Sequence, residues 1–205
     1  YAGATISQNI IANNSTGDSG GTYGKGGGIY FGGELNSAED LTQITFNQII
    51  NNTSYVSGAG VYVTQDGGLV KNNAIHGNKT TNLGPEEFRC ENCYNSSSGG
   101  TVYSNAFGVG RKGGDSKTIV TIEQNNISNN QTTYALSNAN KAGNDIKVEN
   151  NYWGTTTESE IQTLIWDETD ESSFSSADYS PYLSSLNTTA PISPPQNVKM
   201  STSGS

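Results

Sequence analysis

Alternating apolar and polar residues mark short β-strands along the chain. The alternation is strict in residues 4–7, 42–46 and 118–123. Alternation with a period of two among β-branched residues predicts half-buried strands. Runs of this length cannot bury an apolar face alone, so each strand must pack on neighbouring strands.

A six-residue pattern, Asn-x-Ile-x-x-Asn, recurs between these strands. Its leading residues are Asn9, Asn47, Asn73 and Asn125, and a degenerate copy begins at Asn150. The steps between the leading residues are 38, 26, 52 and 25 residues. We interpret 26 residues as one structural period, 52 as two periods with a degenerate copy between them, and 38 as one period with an insertion.

A repeated unit of short strands and Gly or Asn turns predicts an all-β fold, a parallel β-solenoid of about seven coils. An asparagine at the same turn of each coil would form a ladder of stacked side chains. The alternative is a β-propeller, whose blades of about 40–45 residues fit a 26-residue spacing poorly.

The C-terminal part contains a candidate cap for the solenoid. Thr157-Glu158-Ser159-Glu160 matches a capping box and precedes apolar residues at helical spacing. We therefore predict a short helix over 158–166 that covers the last coil, with 178–183 running back along the shaft. The predicted domain is 1–186, followed by a Pro/Ser/Thr-rich linker or tail over 187–205.

The repeats and the C-terminal segment carry a family resemblance. The Asn-x-Ile-x-x-Asn coils and the Gly-Gly-Ile-Tyr turn at 27–30 resemble the right-handed parallel β-helix, or pectate-lyase-like, superfamily. Segments 149–155, 160–167 and 178–183 resemble the last coil of secreted bacterial and archaeal members. The stretch 190–198 resembles the linker before a fibronectin type III module. The resemblance implies a right-handed, extracellular or cell-surface solenoid in a polypeptide with further domains.

Composition and charge restrict the function. The net charge is −9 with only ten basic residues, so a nucleic-acid partner is not expected. No apolar run reaches the ~18–20 residues that cross a bilayer, so membrane insertion is not expected. Cys90 and Cys93 lie in a polar stretch without a second cysteine pair, which favours a local disulfide over zinc or redox chemistry and leaves two free thiols as the alternative.

Catalytic chemistry is weakly represented. Glycoside hydrolysis needs two carboxylates about 5–9.5 Å apart, and the acids within the coils, such as Asp66, Asp115 and Asp145, stand alone in the sequence. His76 follows an inward Ile and is expected to face solvent. Arg89 and Arg111 lie in predicted loops and are the candidate contacts for an acidic glycan.

Two further groups are candidate binding residues. Tyr30, Tyr62 and Tyr103 recur at similar places in the coils and form either an outward aromatic stripe that stacks on sugar rings or a set of packed core residues. The acidic cluster containing Asp167, Asp170 and Glu171 is the candidate calcium site, with a solvated acidic turn as the alternative. No cofactor other than calcium is expected.

The sequence predicts a non-catalytic, extracellular segment of a larger secreted or surface protein, used in adhesion, carbohydrate binding or spacing. Its expected partner is a polysaccharide or cell-surface glycan. Two alternatives stay open: a polysaccharide lyase or glycoside hydrolase acting on an acidic glycan, and a self-assembling structural element.

Overall fold

The computed structural model describes residues 3–17, 24–32, 42–55, 57–64, 68–81, 105–110 and 120–191 of the 205-residue chain. Within these ranges the chain forms three parallel sheets, a two-stranded ladder and one helix. The fold is therefore an all-β parallel solenoid with a short helix, as the alternation and the repeats predict.

The three sheets run along the solenoid. The first sheet contains, in spatial order, β1 (Thr5–Ser7), β4 (Thr42–Thr45), β8 (Gly68–Lys71), β12 (Val120–Glu123), β15 (Ile146–Lys147) and β17 (Ala177–Asp178). The second contains β2 (Ile10–Ala12), β5 (Gln48–Ile50), β9 (Ala74–His76) and β13 (Asn126–Ser128). The third contains β3 (Ile29–Gly32), β7 (Val61–Thr64), β11 (Asn105–Gly110), β14 (Tyr134–Asn138) and β16 (Ile165–Trp166). The small ladder pairs β6 (Thr53–Ser54) with β10 (Lys79–Thr80).

Each of the first four coils contributes one strand to every sheet. Coils 1 to 4 begin at β1, β4, β8 and β12, and coil 5 contributes β15 and β16. The strand pairs within the three sheets are all parallel, which is what stacking of one coil on the next requires.

The prediction of about seven coils is wrong, because the 52-residue step is one coil. Strand β8 pairs directly with β12, and the backbone N–H of Asn73 donates to Oδ1 of Asn125 at 2.9 Å. In the sequence, the additional residues of coil 3 fall between β10 and β11 and between β11 and β12.

The core is built from columns of inward side chains, one column from each repeated position. The central residue of the Asn-x-Ile-x-x-Asn pattern supplies one of them, in which Ile49, Ile75 and Ile127 are fully buried. The third sheet supplies another, formed by Ile29, Val61, Phe107, Leu136 and Ile165. Burying each such side chain stabilises the fold by about 1.5–3 kcal/mol.

The helix α1 (Glu158–Leu164) begins where the sequence predicts and ends two residues earlier. Residues 165–166 instead form β16, which pairs with β14. Thr157 occupies the N-cap position, but its side chain makes no capping hydrogen bond. The hydroxyl of Thr155 bonds Glu160 instead and accepts the N–H of Thr157 at 3.2 Å, so the predicted capping box does not form.

The C-terminal segment adds a last rung before it turns back. Strand β17 pairs with β15, and the N–H of Leu183 donates to the carbonyl of Asn151. The predicted course of 178–183 back along the shaft is therefore wrong, since backbone pairing extends the first sheet here. The return along the shaft lies further on, where Asn187 bonds Asn126 of coil 4.

Candidate functional site

Two asparagine ladders line the corners on either side of the second sheet. The first ladder runs through Asn9, Asn47, Asn73, Asn125 and Asn151. The second runs through Asn14, Asn52, Asn78 and Asn130. These residues stand at the two ends of the repeated pattern, so one six-residue motif builds both corners.

The asparagines in the interior of each ladder, Asn47, Asn73 and Asn125 in the first and Asn52 and Asn78 in the second, make the same contacts with their neighbours. Each donates from its backbone N–H and its Nδ2 group to Oδ1 of the asparagine in the following coil, for Asn47 at 2.9 and 3.1 Å from Asn73. Nδ2 also donates to a carbonyl of the preceding coil, in this case Ile6 at 2.8 Å. The side chains are thus fully hydrogen-bonded although Asn47 and Asn73 have no exposed surface.

The residue before each ladder asparagine adopts a left-handed backbone. Positive φ angles occur at Gln8, Phe46, Asn72, Gln124 and Asn150 at the first corner. The same conformation recurs at the second corner, at Asn13, Asn51, Gly77 and Asn129. A left-handed residue turns the chain sharply, and the following asparagine then points into the corner.

The last rung of the first ladder is Asn151, and the prediction of Asn150 is wrong by one residue. Asn150 is the left-handed turn residue, with φ of 56°. The N–H and Nδ2 of Asn125 donate instead to Oδ1 of Asn151. The buried Trp153 marks this register in the sequence, because it stands two residues after the rung, where earlier coils have Ile.

Tyr30 and Tyr62 lie on the outer face of the third sheet. Their neighbours Ile29 and Val61 belong to the core, so alternation directs the two tyrosines outward. The rings are stacked, with centroids 5.7 Å apart and an interplanar angle of 24°. Tyr30 is 58% exposed, whereas Tyr62 is 7% exposed.

Glycines of the following coil provide the space for the Tyr62 ring. Gly108 pairs with Tyr62, and a Cβ atom on Gly108 would lie 2.6 Å from a carbon of that ring. Gly108 therefore occupies the position beside Tyr62 in the next coil. Of the three predicted tyrosines, Tyr30 and Tyr62 form an outward stacked pair next to these glycines, and Tyr103 lies outside the described residues.

A cation and a polar cluster adjoin the tyrosine pair. The Lys25 ammonium donates to the Tyr62 hydroxyl at 3.2 Å. Nδ2 of Asn105 donates to the hydroxyls of Ser57 and Ser137, at 3.0 and 2.7 Å. Asn105, Ser57 and Ser137 are buried, so the polar group that the outer face presents beside the tyrosine pair is the half-buried Lys25, whose ammonium lies 4.9 Å from the centre of the Tyr62 ring.

The ionisation of Tyr30 is shifted by this environment. Partial burial raises the pKa of its phenol, and the neighbouring Tyr62 raises it further. The positive charge of Lys25 acts in the opposite direction. The phenol is therefore neutral at physiological pH and can both donate and accept a hydrogen bond.

The acidic cluster forms a hydrogen-bonded turn. One oxygen of the Asp167 carboxylate accepts from the N–H and hydroxyl of Thr169, and the other accepts from the N–H of Ala177. Asp170 accepts from the N–H of Asp167 at 3.3 Å, and the N–H of Glu171 donates to the carbonyl of Asp167. Among the described residues, no three His, Cys, Asp or Glu side chains are grouped to hold a metal ion.

Charged side chains are sparse on the described coils. Glu123 is the one carboxylate in strands β1–β14, and the Lys71 ammonium lies 2.8 Å from it. His76 is partly buried on the second sheet, and this burial lowers its pKa. These strands accordingly contain no pair of carboxylates with the separation that glycoside hydrolysis requires.

Several predicted residues lie outside the described ranges: Arg89, Arg111, Tyr103, Cys90 and Cys93. Sequence reasoning missed Lys25, the Ser57–Asn105–Ser137 cluster and the second ladder. The recurrence of the last asparagine in each repeat is a usable signal for that ladder. The polar cluster has no such signal, because Ser57 and Asn105 are brought together only by the register of coils 2 and 3.

No helix of the described part is long and apolar enough to span a bilayer. Comparison with known protein families, curated proteins and solved structures gives no match for this chain.

Proposed function

We propose that this chain is a non-catalytic carbohydrate-binding segment of a secreted or cell-surface protein. The exposed Tyr30 ring, stacked on Tyr62 beside Lys25, is the observation that carries the proposal. An exposed ring supplies the flat apolar surface on which the C–H face of a sugar packs, and neighbouring polar groups supply orientation.

The rigidity of the face supports this function. The Tyr62 ring packs against the glycines of coil 3, and its hydroxyl accepts a hydrogen bond from Lys25. Tyr30 therefore rests on a fixed partner, which lowers the conformational entropy lost on binding. A long, regular sheet would let an extended glycan contact more than one coil.

The scarcity of carboxylates in strands β1–β14, where Glu123 is the one acidic residue, favours binding over hydrolysis on these strands. Glu123 is neutralised by Lys71, and Asp167 is engaged by its own turn. We place the chain, within the same proposal, with the right-handed, pectate-lyase-like β-helix proteins, on the resemblance of its repeats and its last coil. Adhesion to a polysaccharide surface is the biological role that this assignment favours.

A screen of soluble polysaccharides and arrayed glycans, with and without calcium, tests the proposal. The full chain is expected to bind at least one glycan without releasing a reducing end or an unsaturated product. Tyr30→Ala is expected to weaken that binding about tenfold, equivalent to about 1.4 kcal/mol. Phe46→Asn is the matched control, because Phe46 is an exposed aromatic residue at a corner away from the third sheet and Asn tolerates its left-handed backbone.

Equal weakening by both variants would contradict a site at Tyr30. Release of product would replace binding with catalysis, and the absence of binding to any glycan would remove the proposal.

A further inference from the structure

Residues 184–191, the last described part of the chain, are attached to the shaft through one residue. Asn187 makes every hydrogen bond that joins this segment to the other described residues. Its N–H donates to Oδ1 of Asn126 at 2.8 Å, and Nδ2 of Asn126 donates back to its carbonyl at 3.0 Å. Its own Nδ2 group donates to Oδ1 of Asn72 and to the carbonyl of Gln124.

Little apolar packing adds to this attachment. The last described residue that packs against the contiguous hydrophobic core is Tyr182, which precedes the segment. Leu186 is 56% exposed, and Ala190 is the one buried residue of the segment. The segment is therefore held mainly by hydrogen bonds of Asn187, and each such bond contributes little net stability because water can replace it.

Residues 184–186 connect the attachment point to the end of the solenoid. All three are exposed and make no hydrogen bond within the part of the chain that the structure describes. The fixed point before them is Leu183, whose N–H donates to the carbonyl of Asn151 at 3.0 Å. A change of backbone angles in 184–186 can therefore swing residues 187–191 away from the shaft without breaking the bond at Leu183.

The segment covers side-chain amides on the surface of coils 3 and 4. Asn72 is 6% exposed, whereas Phe46, which has the same corner position in coil 2, is 36% exposed. The Asn126 side chain recognises the main chain of residue 187, because its oxygen accepts the N–H and its nitrogen donates to the carbonyl. Such a side-chain amide can pair with any exposed peptide group in this way.

We propose that residues 184–191 form a latch that opens and closes on the folded solenoid. Residues 184–186 are its hinge, and Asn187 is the residue that holds it closed. The closed latch occupies the side-chain amides of Asn72 and Asn126, and the open latch presents them to solvent. Access to this surface of coils 3 and 4 is therefore controlled by a segment of the same chain.

Amide exchange of the native chain tests the latch, followed by NMR at urea concentrations below the unfolding transition. The N–H of Asn187 reports the latch, and the N–H of Asn73, which donates to Asn125, reports the shaft. Opening of a short hinged segment exposes little surface, so exchange at Asn187 should change less than about twofold per molar urea. Exchange at Asn73 requires separation of the coils and should accelerate at least about fivefold per molar urea.

Asn187→Asp should open the latch while the solenoid stays folded. The change removes the Nδ2 donors and places a negative charge against Oδ1 of Asn72 and the carbonyl of Gln124. The backbone N–H of residue 187 is retained for the measurement, and its protection should fall at least about tenfold. Asn73 should remain protected in the same sample.

Asn144→Asp is the matched control, because Nδ2 of Asn144 makes an exposed, local bond to Lys141. This variant should leave exchange at residue 187 unchanged. Equal urea dependence of exchange at Asn187 and Asn73 in the native chain would overturn the proposal, since the segment would then open only when the solenoid unfolds. Unchanged exchange at residue 187 in Asn187→Asp, or loss of protection at Asn73 in that variant, would overturn it as well.

Discussion

The Nδ2 group of Asn187 donates a hydrogen bond to Oδ1 of Asn72, a residue 115 positions earlier, at 2.9 Å. The same group bonds the carbonyl of Gln124, and the backbone of Asn187 exchanges two further bonds with the Asn126 side chain. One asparagine of the C-terminal segment therefore ties together coils 3 and 4.

Asn187→Ala should lower the stability of the fold. The change removes two side-chain donors to groups that are partly buried, and each lost bond costs about 0.5–1.5 kcal/mol. Calorimetry should show a lower unfolding temperature, by about 2–4 °C for each kcal/mol. Asn144→Ala is the control, since Asn144 makes a local, exposed side-chain bond to Lys141. Equal shifts for the two variants would show that the tie contributes nothing.

Asn73→Asp should be among the most damaging single changes in the shaft. Asn73 is fully buried, and its Nδ2 group donates to Ile44, Lys71 and Asn125. A carboxylate would meet these acceptors with negative charge, which costs several kcal/mol in a buried site. Urea unfolding should show a free energy of unfolding that is lower by this amount.

Asn51→Asp provides the comparison at an exposed left-handed turn. Aspartate tolerates this backbone, so the free energy of unfolding should change by less than about 0.5 kcal/mol. A ladder variant as stable as Asn51→Asp would contradict the energetic importance of the ladder.

Gly108→Ala should displace the Tyr62 ring. Its Cβ atom would meet a ring carbon at 2.6 Å and the Ser57 hydroxyl at 2.8 Å. Overpacking of this kind costs about 1–3 kcal/mol, and tyrosine near-ultraviolet circular dichroism should change with it. Gly17→Ala, in which no atom lies within 4 Å of the added methyl group, should leave the free energy of unfolding and the tyrosine circular dichroism unchanged. An unaltered tyrosine signal in Gly108→Ala would argue against the tight seat of Tyr62.

His76 should make stability depend on pH. Burial lowers its pKa in the folded state, so the unfolded chain binds this proton more readily. The contribution is therefore fully present above the ordinary value of about 6.5 and is lost as the pH falls toward the lowered pKa. Urea unfolding at pH 7.5 and pH 5.0 should show a larger loss for the native chain than for His76→Gln. Parallel losses would exclude a role for His76.

The architecture could be predicted because one short motif encodes several structural features together. In 47–52, Asn47 and Asn52 form both corners and Ile49 points into the core. The pattern therefore reports corner, strand and inward face at once. In the same way, the alternation in 120–123 shows which side chains of the first sheet point into the core.

The number of coils could not be predicted, because a solenoid constrains its corners and not the length between them. Asn73 and Asn125 are hydrogen-bonded neighbours although 52 residues separate them. Periodic counting treats that distance as two units. Direct pairing of β8 with β12 shows that the 52 residues form a single coil.

The site was predicted only in part, for reasons of register. Alternation places Tyr30 and Tyr62 on the same face, but two residues of the same type can point outward or inward with equal ease. The burial of Ile29 and Val61 in the core shows that both tyrosines point outward. The space for the Tyr62 ring comes from Gly108, which lies beside it because β7 pairs with β11. The sequence does not distinguish the rung Asn151 from the turn residue Asn150, because the two adjacent asparagines differ in backbone conformation and not in identity.

Coils differ in length only in the connections that lie outside the paired asparagines. This has a practical consequence for comparing the sequences of such chains. Insertions between β10 and β11 leave the vertical order of the coils unchanged, so related proteins can differ greatly in length and still superimpose strand on strand. Alignment by a constant period would shift every coil after the first insertion. Alignment that anchors each asparagine following a left-handed residue would recover the correspondence, and it would identify the connections after β10 and β11 as places where new sequence can be introduced without disturbing the shaft.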